Sequence, residues 1–290
     1  MTFQIMTDTA ADLGFEYLNR NDVKFVGFSV NVNGKDYRTD IPGEIKQEWL
    51  LKQLAQEAEV STSQVNAGQF YEVFKPYAES KTPLLYIGFS SGLSGTLQSS
   101  MQAREMILEE FPDADIRVID TLMAANGQGL LVRRAAKLKE KGATIDEIEV
   151  DIRESAPKVR AWFTVDDLKQ LARGGRISKT AATIGGLANV KPILDVDHEG
   201  KLRAVAKVRG RQKALKHLVD NLVNDLPNPE SQSVFINYSG SMEDARKVKA
   251  MIEEKVTVKH IFINPLGPTI TAHTGSGTIG AFALGKEKRK

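Results

Sequence analysis

Cysteine is missing altogether from the 290 residues. That single absence excludes disulfides, thiolate zinc centres and thiol nucleophiles, and leaves any chemistry to hydroxyl, imidazole, carboxyl and guanidinium groups. Long apolar runs are missing too. No stretch approaches the ~18 residues that a membrane-spanning helix needs, so stable membrane insertion is not expected. The opening MTFQIMTDTA has neither the charged nor the long apolar segment of a secretion signal, and the expected location is cytoplasmic. An excess of one charge is absent as well. Lys and Arg total 39 against 37 Asp and Glu, a net +2 that offers no electrostatic footprint for nucleic acid. The one basic cluster, Lys286-Glu287-Lys288-Arg289-Lys290, reads as a solvated, frayed end.

Nucleotide and metal motifs are equally scarce. No Walker A sequence occurs. Gly275-Ser276-Gly277-Thr278-Ile279-Gly280 spells the dinucleotide fingerprint, but the chain has too few residues after it for the helix, strand and acidic residue that the fingerprint requires. The four histidines, His198, His217, His260 and His273, are scattered without metal-ligand spacing, so neither a metal nor a cofactor is expected. Of the four, only His273 stands in a site-like neighbourhood, between Thr271 and Thr274 near glycines.

What is present is a βα alternation. FQIMT, VKFVGFSVNV, PLLYIGF and IRVID read as strands, and ADLGFEYLNR, EIKQEWLLKQLAQEA, TLQSSMQAREMILEE and GQGLLVRRAAKLKEK as helices. Asn33-Gly34 predicts a tight hairpin turn. The pattern predicts an α/β fold of two domains: residues 1–160, a parallel sheet flanked by helices, and residues 161–290, an α+β domain. In the second half ILDVDHEGKLRAVAKV predicts two strands around a His-Glu-Gly turn. RQKALKHLVDNLVND and MEDARKVKAMIEEK predict helices, VFINYSG a strand, and HIFINPL the last strand.

Two hydroxyl-rich segments stand out. Gly88-Phe89-Ser90-Ser91-Gly92 matches the G-x-S-x-G of a nucleophile elbow, which makes Ser90 with His273 a candidate serine esterase pair. The better helix start is Ser94, whose hydroxyl can cap the amides of Gly95, Thr96 and Leu97, and a strand that runs through such a loop into a helix is suited to holding an anion. Ser61-Thr62-Ser63-Gln64 forms the second segment. It is expected as a loop between a helix ending near Glu59 and another capped by Asn66, placed beside residues 90–96. Without an obvious base or metal, holding an anionic group is favoured over attacking an ester.

TDTAADL at 7–13, STSQ at 61–64, FSSGLSGT at 89–96, DTLMAANGQGLLV at 120–132, LARGGRIS at 171–178, VKPIL at 190–194 and HTGSG at 273–277 together resemble the DegV family over nearly the whole chain. The resemblance implies a two-domain α/β protein that binds one long-chain fatty acid in a buried tunnel. It also implies a role as the non-enzymatic, lipid-binding subunit of a bacterial two-component fatty acid kinase, which presents the carboxylate to a separate ATP-binding subunit and carries the acyl-phosphate. By the same resemblance Thr62 and Ser94 bind the carboxylate through their hydroxyls, Gly95 through its amide, and His273 stands by the head group. Arg173 and Arg176 are implied in phosphate transfer or contact with the kinase subunit. Asp8 is retained from the family's opening motif. Burying about 14 methylenes at roughly 0.8 kcal/mol each gives about 11 kcal/mol before association costs, so the tail is expected to set affinity and the hydroxyls position.

Overall fold

The computed structural model describes residues 2–178 and 189–290. Short apolar strands and amphipathic helices alternate through the first half: β1 (Gln4–Asp8), α1 (Phe15–Arg20), β2 (Val23–Val26), β3 (Ser29–Val32), β4 (Lys35–Arg38), α2 (Gln47–Ala55), β5 (Val60–Ser63), α3 (Ala67–Glu79), β6 (Leu84–Gly88), α4 (Thr96–Glu110), β7 (Ile116–Asp120), α5 (Ala125–Glu140) and α6 (Ile145–Ser155). The remainder runs β8 (Val159–Thr164), α7 (Lys169–Arg173), β9 (Val190–Val196), β10 (Leu202–Arg209), α8 (Arg211–Asp225), β11 (Ser233–Tyr238), α9 (Met242–Lys255), β12 (His260–Pro265), α10 (Pro268–Thr274) and β13 (Ile279–Leu284).

The strands form three sheets. A parallel sheet has the order β2-β1-β6-β7, and its two central strands are buried at every position, as expected for a sheet covered on both faces. Phe70 and Phe74 of α3 and Ala103 and Ile107 of α4 pack on one face against Met6, Leu84 and Tyr86. Residues of α5 and α6 cover the other against Ile5, Leu85 and Ile87. The second sheet, in the order β10-β9-β8-β13-β11-β12, is antiparallel except for the β11–β12 pair. Its outer face is covered by α8 and α9. Its inner face, with Phe163, Phe235 and Phe282, shares one core with α5. The run from Ala125 to Val132 is therefore buried on every side, between two sheets.

The third sheet, β4-β3-β5, is small and antiparallel. Asn33 and Gly34 both have positive φ, 51° and 84°, and turn β3 into β4 as their sequence requires. Here the fold departs from expectation. VKFVGFSVNV, read as one strand, breaks at Gly27, where a side chain would collide with Asp40, and its halves join different sheets. Val60–Ser63, expected as a loop, pairs with β3, and α2 ends at Ala55 rather than near Glu59. HIFINPL is followed by a further helix, α10, and a further strand, β13, which lies inside the six-stranded sheet. The small apolar residues of IGAFAL carry no alternation, because both faces of that strand are buried. The Gly275–Gly280 run leads into β13 and not into a helix.

The C-terminus also differs from the expected frayed end. Arg289 is buried and donates from Nε to the Asp197 carbonyl at 3.0 Å, from one Nη to those of Ala156 and Val159 at 2.8 Å each, and from the other to that of Leu122 at 3.1 Å. A guanidinium offers five donors in a rigid fork, which suits it to gather carbonyls from several segments.

Asp8 performs the converse task. Fully buried at the end of β1, it accepts from the Ala10 amide (3.0 Å), the Tyr86 hydroxyl (2.7 Å), the Phe89 amide (3.0 Å) and the Gln128 amide (3.1 Å). Asp8→Ala strands these buried donors, each at a cost of roughly 1–3 kcal/mol. A stability loss of at least about 3 kcal/mol is expected in urea unfolding; a loss within the ±0.5 kcal/mol of an ordinary surface change would show that the donors find other acceptors.

Candidate functional site

Between α5, the inner face of the six-stranded sheet and the small sheet lies a cavity of about 420 Å³. Four phenylalanines, Phe28, Phe89, Phe163 and Phe282, dominate its apolar wall, with aliphatic and alanine side chains between them. The room for Phe282 is made by glycines. A Cβ on Gly280 would stand 3.0 Å from its ring, and one on Gly127 of α5 would stand 3.2 Å from it.

The polar lining draws on four places. Period-two alternation along β5 turns Thr62 inward and leaves Ser61 and Ser63 exposed. Thr62 Oγ1 lies 2.8 Å from Nε2 of His273, which α10 brings from the far end of the chain. The loop after β6 supplies Ser94, whose Oγ is 2.9 Å from Thr96 Oγ1 and accepts from the Thr96 amide at 3.2 Å. Ser94 thus takes up one of the amides foreseen for it, although Gly95 is the residue at the cap position of α4. The turn after α7 supplies Arg176. Its Nε donates to the Leu93 carbonyl at 3.0 Å and one Nη donates to the Gly174 carbonyl, so one side chain joins the 89–96 loop to the Arg-Gly-Gly-Arg turn.

Electrostatics distinguish this end of the cavity. Burial, and secondarily the neighbouring Arg176 cation, push the His273 pKa down from 6.5 to about 4. The imidazole is therefore neutral at physiological pH. Burial also lowers the pKa of Arg176, which remains a cation because its starting value is so high. Among the described residues no carboxylate pairs with Arg176. A partly buried, unpaired guanidinium beside two hydroxyls and a neutral imidazole complements one negative charge.

The structure thus brings Thr62, Ser94, His273 and Arg176 to one cavity. Gly95 is next to it and exposed; a Cβ there would strike the Gln64 amide, which donates to Ser99 Oγ at 3.1 Å. Arg173 is exposed at the end of α7 and does not line the cavity, so the two arginines of the motif occupy different environments. Ser90 lies outside it as well. Its hydroxyl is fully buried, donates to the Gly200 carbonyl at 2.8 Å and accepts from the Gly92 amide at 3.2 Å. Ser90 and His273 therefore have separate partners and do not form the pair an esterase requires. Sequence reasoning missed the four phenylalanines and Gln64. It also missed Gly174, where a Cβ would collide with the His273 ring. A glycine pair between two arginines was the available signal for that close approach.

A family model described as an uncharacterised protein of the DegV family matches residues 2–286. The DegV domain-containing protein YteA of Lactococcus lactis is 43% identical over 290 residues, the whole of both chains. Among solved structures, a DegV family protein from Thermus thermophilus described for its fatty acid binding is 29% identical, with a TM-score of 0.89 over 99% of this chain and 100% of that one. A stearic acid-binding protein from Eubacterium ventriosum is 26% identical, with a TM-score of 0.86 over 98% of this chain and 99% of that one.

The lowered pKa of His273 has a signed consequence. The unfolded chain takes up this proton near pH 6.5 and the folded chain near pH 4, so the stability due to the neutral ring is full above 6.5 and is lost as pH falls toward 4. His273→Gln removes that proton uptake and should flatten this part of the decline in urea unfolding followed from neutral pH downward. In NMR titrations the His273 ring should protonate only as pH approaches about 4; protonation near 6.5 would mean that the ring is solvated.

Proposed function

This chain belongs to the DegV family, and from that premise we propose that it binds one long-chain fatty acid in the 420 Å³ cavity and presents its carboxylate to a separate ATP-dependent kinase subunit. The observation that carries the reading is the cavity's polarity: an apolar, phenylalanine-rich wall ending in a cation, a neutral imidazole and two hydroxyls. Such a site suits a ligand with a long apolar body and one terminal negative charge. The related proteins described as fatty acid binding support it.

In this reading residues 1–160 and 161–290 are two domains that close on the acid, the first contributing Thr62 and Ser94 and the second His273 and Arg176. When His273 Nε2 carries its proton and donates to Thr62 Oγ1, the Thr62 hydroxyl is free to donate to the carboxylate, as Ser94 and the Gly95 amide do. Arg176 balances the charge of the carboxylate and, after transfer, of the acyl-phosphate. Arg173, directed to solvent, contacts the kinase subunit. The chain itself supplies no nucleophile and works in the cytoplasm as the lipid-carrying partner.

Mass spectrometry of organic extracts from the purified protein should find about one long-chain fatty acid per chain. Ser94→Ala removes one charge-assisted hydrogen bond, worth roughly 1.5–3 kcal/mol, and should weaken binding about tenfold or more without emptying the cavity. Arg173→Ala should retain its lipid and lose acyl-phosphate formation when kinase subunit and ATP are added. Arg176→Ala should hold its lipid less tightly, because the tail supplies most of the binding, and lose acyl-phosphate formation. Protein without fatty acid that hydrolyses a chromogenic ester would overturn the reading, and full phosphorylation by Arg173→Ala would remove its assignment to the partner.

A further inference from the structure

A second cavity, of about 400 Å³, opens on the side where α1 and α5 meet the starts of β11 and β12. It shares no lining residue with the first. Its centre is Arg133 of α5. The guanidinium carbon lies 4.1 Å from the ring centre of Tyr17, 4.4 Å from that of Phe262 and 5.6 Å from that of Phe235. Phe235 and Phe262 are themselves stacked, with centres 4.9 Å apart.

Stacking of this kind fixes a guanidinium through its faces and leaves the N–H groups on its edge for hydrogen bonds. Among the described residues none accepts a hydrogen bond from Arg133 and no carboxylate pairs with it, although burial lowers its pKa. One helical turn on, Lys137 lies on the same face of α5 and also lines the cavity, again without an ion-pair partner among the described residues. Arg134 lines it too, but its charge is met by Asp151. Glu140, a further turn along, marks the opposite sign at the rim. Ser231, Gln232, Ser233 and His260 add polar groups, while Leu130, Phe235 and Leu284 provide an apolar side.

We propose that this cavity is a second ligand site, which takes a small organic phosphate: the anionic group bound by the edge of Arg133 and by Lys137, and an apolar or aromatic body lying against Leu130 and Phe235. Two unpaired cations one turn apart favour a dianion over a single carboxylate, and the phosphate oxygens match the in-plane donors of the guanidinium. The size of the cavity leaves room for a body beyond the phosphate. This assignment does not depend on the fatty acid reading, because the two cavities share no residue.

Phenyl phosphate is a suitable probe, with inorganic phosphate as the bare anion, titrated calorimetrically into the full chain at low ionic strength. Saturable binding of phenyl phosphate at one site, tighter than that of inorganic phosphate, is expected. Arg133→Gln should weaken it by about tenfold or more. Lys137→Gln, at an exposed position, should weaken it less, and in both variants the lipid content should be unchanged. Amide shifts in the unsubstituted protein should cluster at Lys137, Gln232 and Ser233, which keeps the test decisive should Arg133→Gln fail to fold. Absence of saturable binding, equal affinity in the variants, or shifts located elsewhere would each overturn the proposal.

Discussion

The carboxylate of Asp8 is the point to which much of the first half is tied. Burying a carboxyl group raises its pKa, and only a full set of donors makes a charge tolerable there. Those donors come from the turn after β1, from Tyr86 and Phe89 at the end of β6, and from Gln128 inside α5. The constraint sets where the chain can leave β6, and therefore where the 89–96 loop begins. Thr7 extends the arrangement by donating to the Ile87 carbonyl and accepting from Gln128. Ser94 occupies its place because the polypeptide a few residues earlier is held by a group in the core.

A second constraint is the scarcity of negative charge at the polar end of the cavity. Arg176 is held through carbonyls, of Leu93 and Gly174, which orient the guanidinium without neutralising it. A carboxylate in that position would have formed a buried ion pair and neutralised the guanidinium. Keeping His273 neutral prevents a second positive charge from accumulating beside the first, and leaves the imidazole able to hydrogen-bond Thr62. The site thus combines one permanent cation with neutral donors.

The helices α4, α8 and α9 were legible in the sequence because each has one buried face and clear ends, and the Asn33-Gly34 turn because its backbone geometry admits few other residues. The strand β13 was not, since residues buried on both faces show no alternation. The break at Gly27 depends on Asp40, which the sequence does not place beside it. In the site, Thr62 was readable as part of a hydroxyl-rich segment, and Ser94 and His273 as hydroxyl and imidazole groups near glycines. The different settings of Arg173 and Arg176 were not, because which of two arginines turns inward is decided by the carbonyls it meets. The phenylalanines of the cavity wall are the same residue types that fill a solid core, and composition cannot tell a lined void from a packed one.

The hydrogen bond between Thr62 and His273 joins residues 211 positions apart, one on an edge strand and one on a short helix packed against it. The contact ties β5 to α10 at the polar end of the cavity. Because the two residues belong to distant parts of the sequence, a disturbance of β5 is felt at α10, and one of α10 at β5.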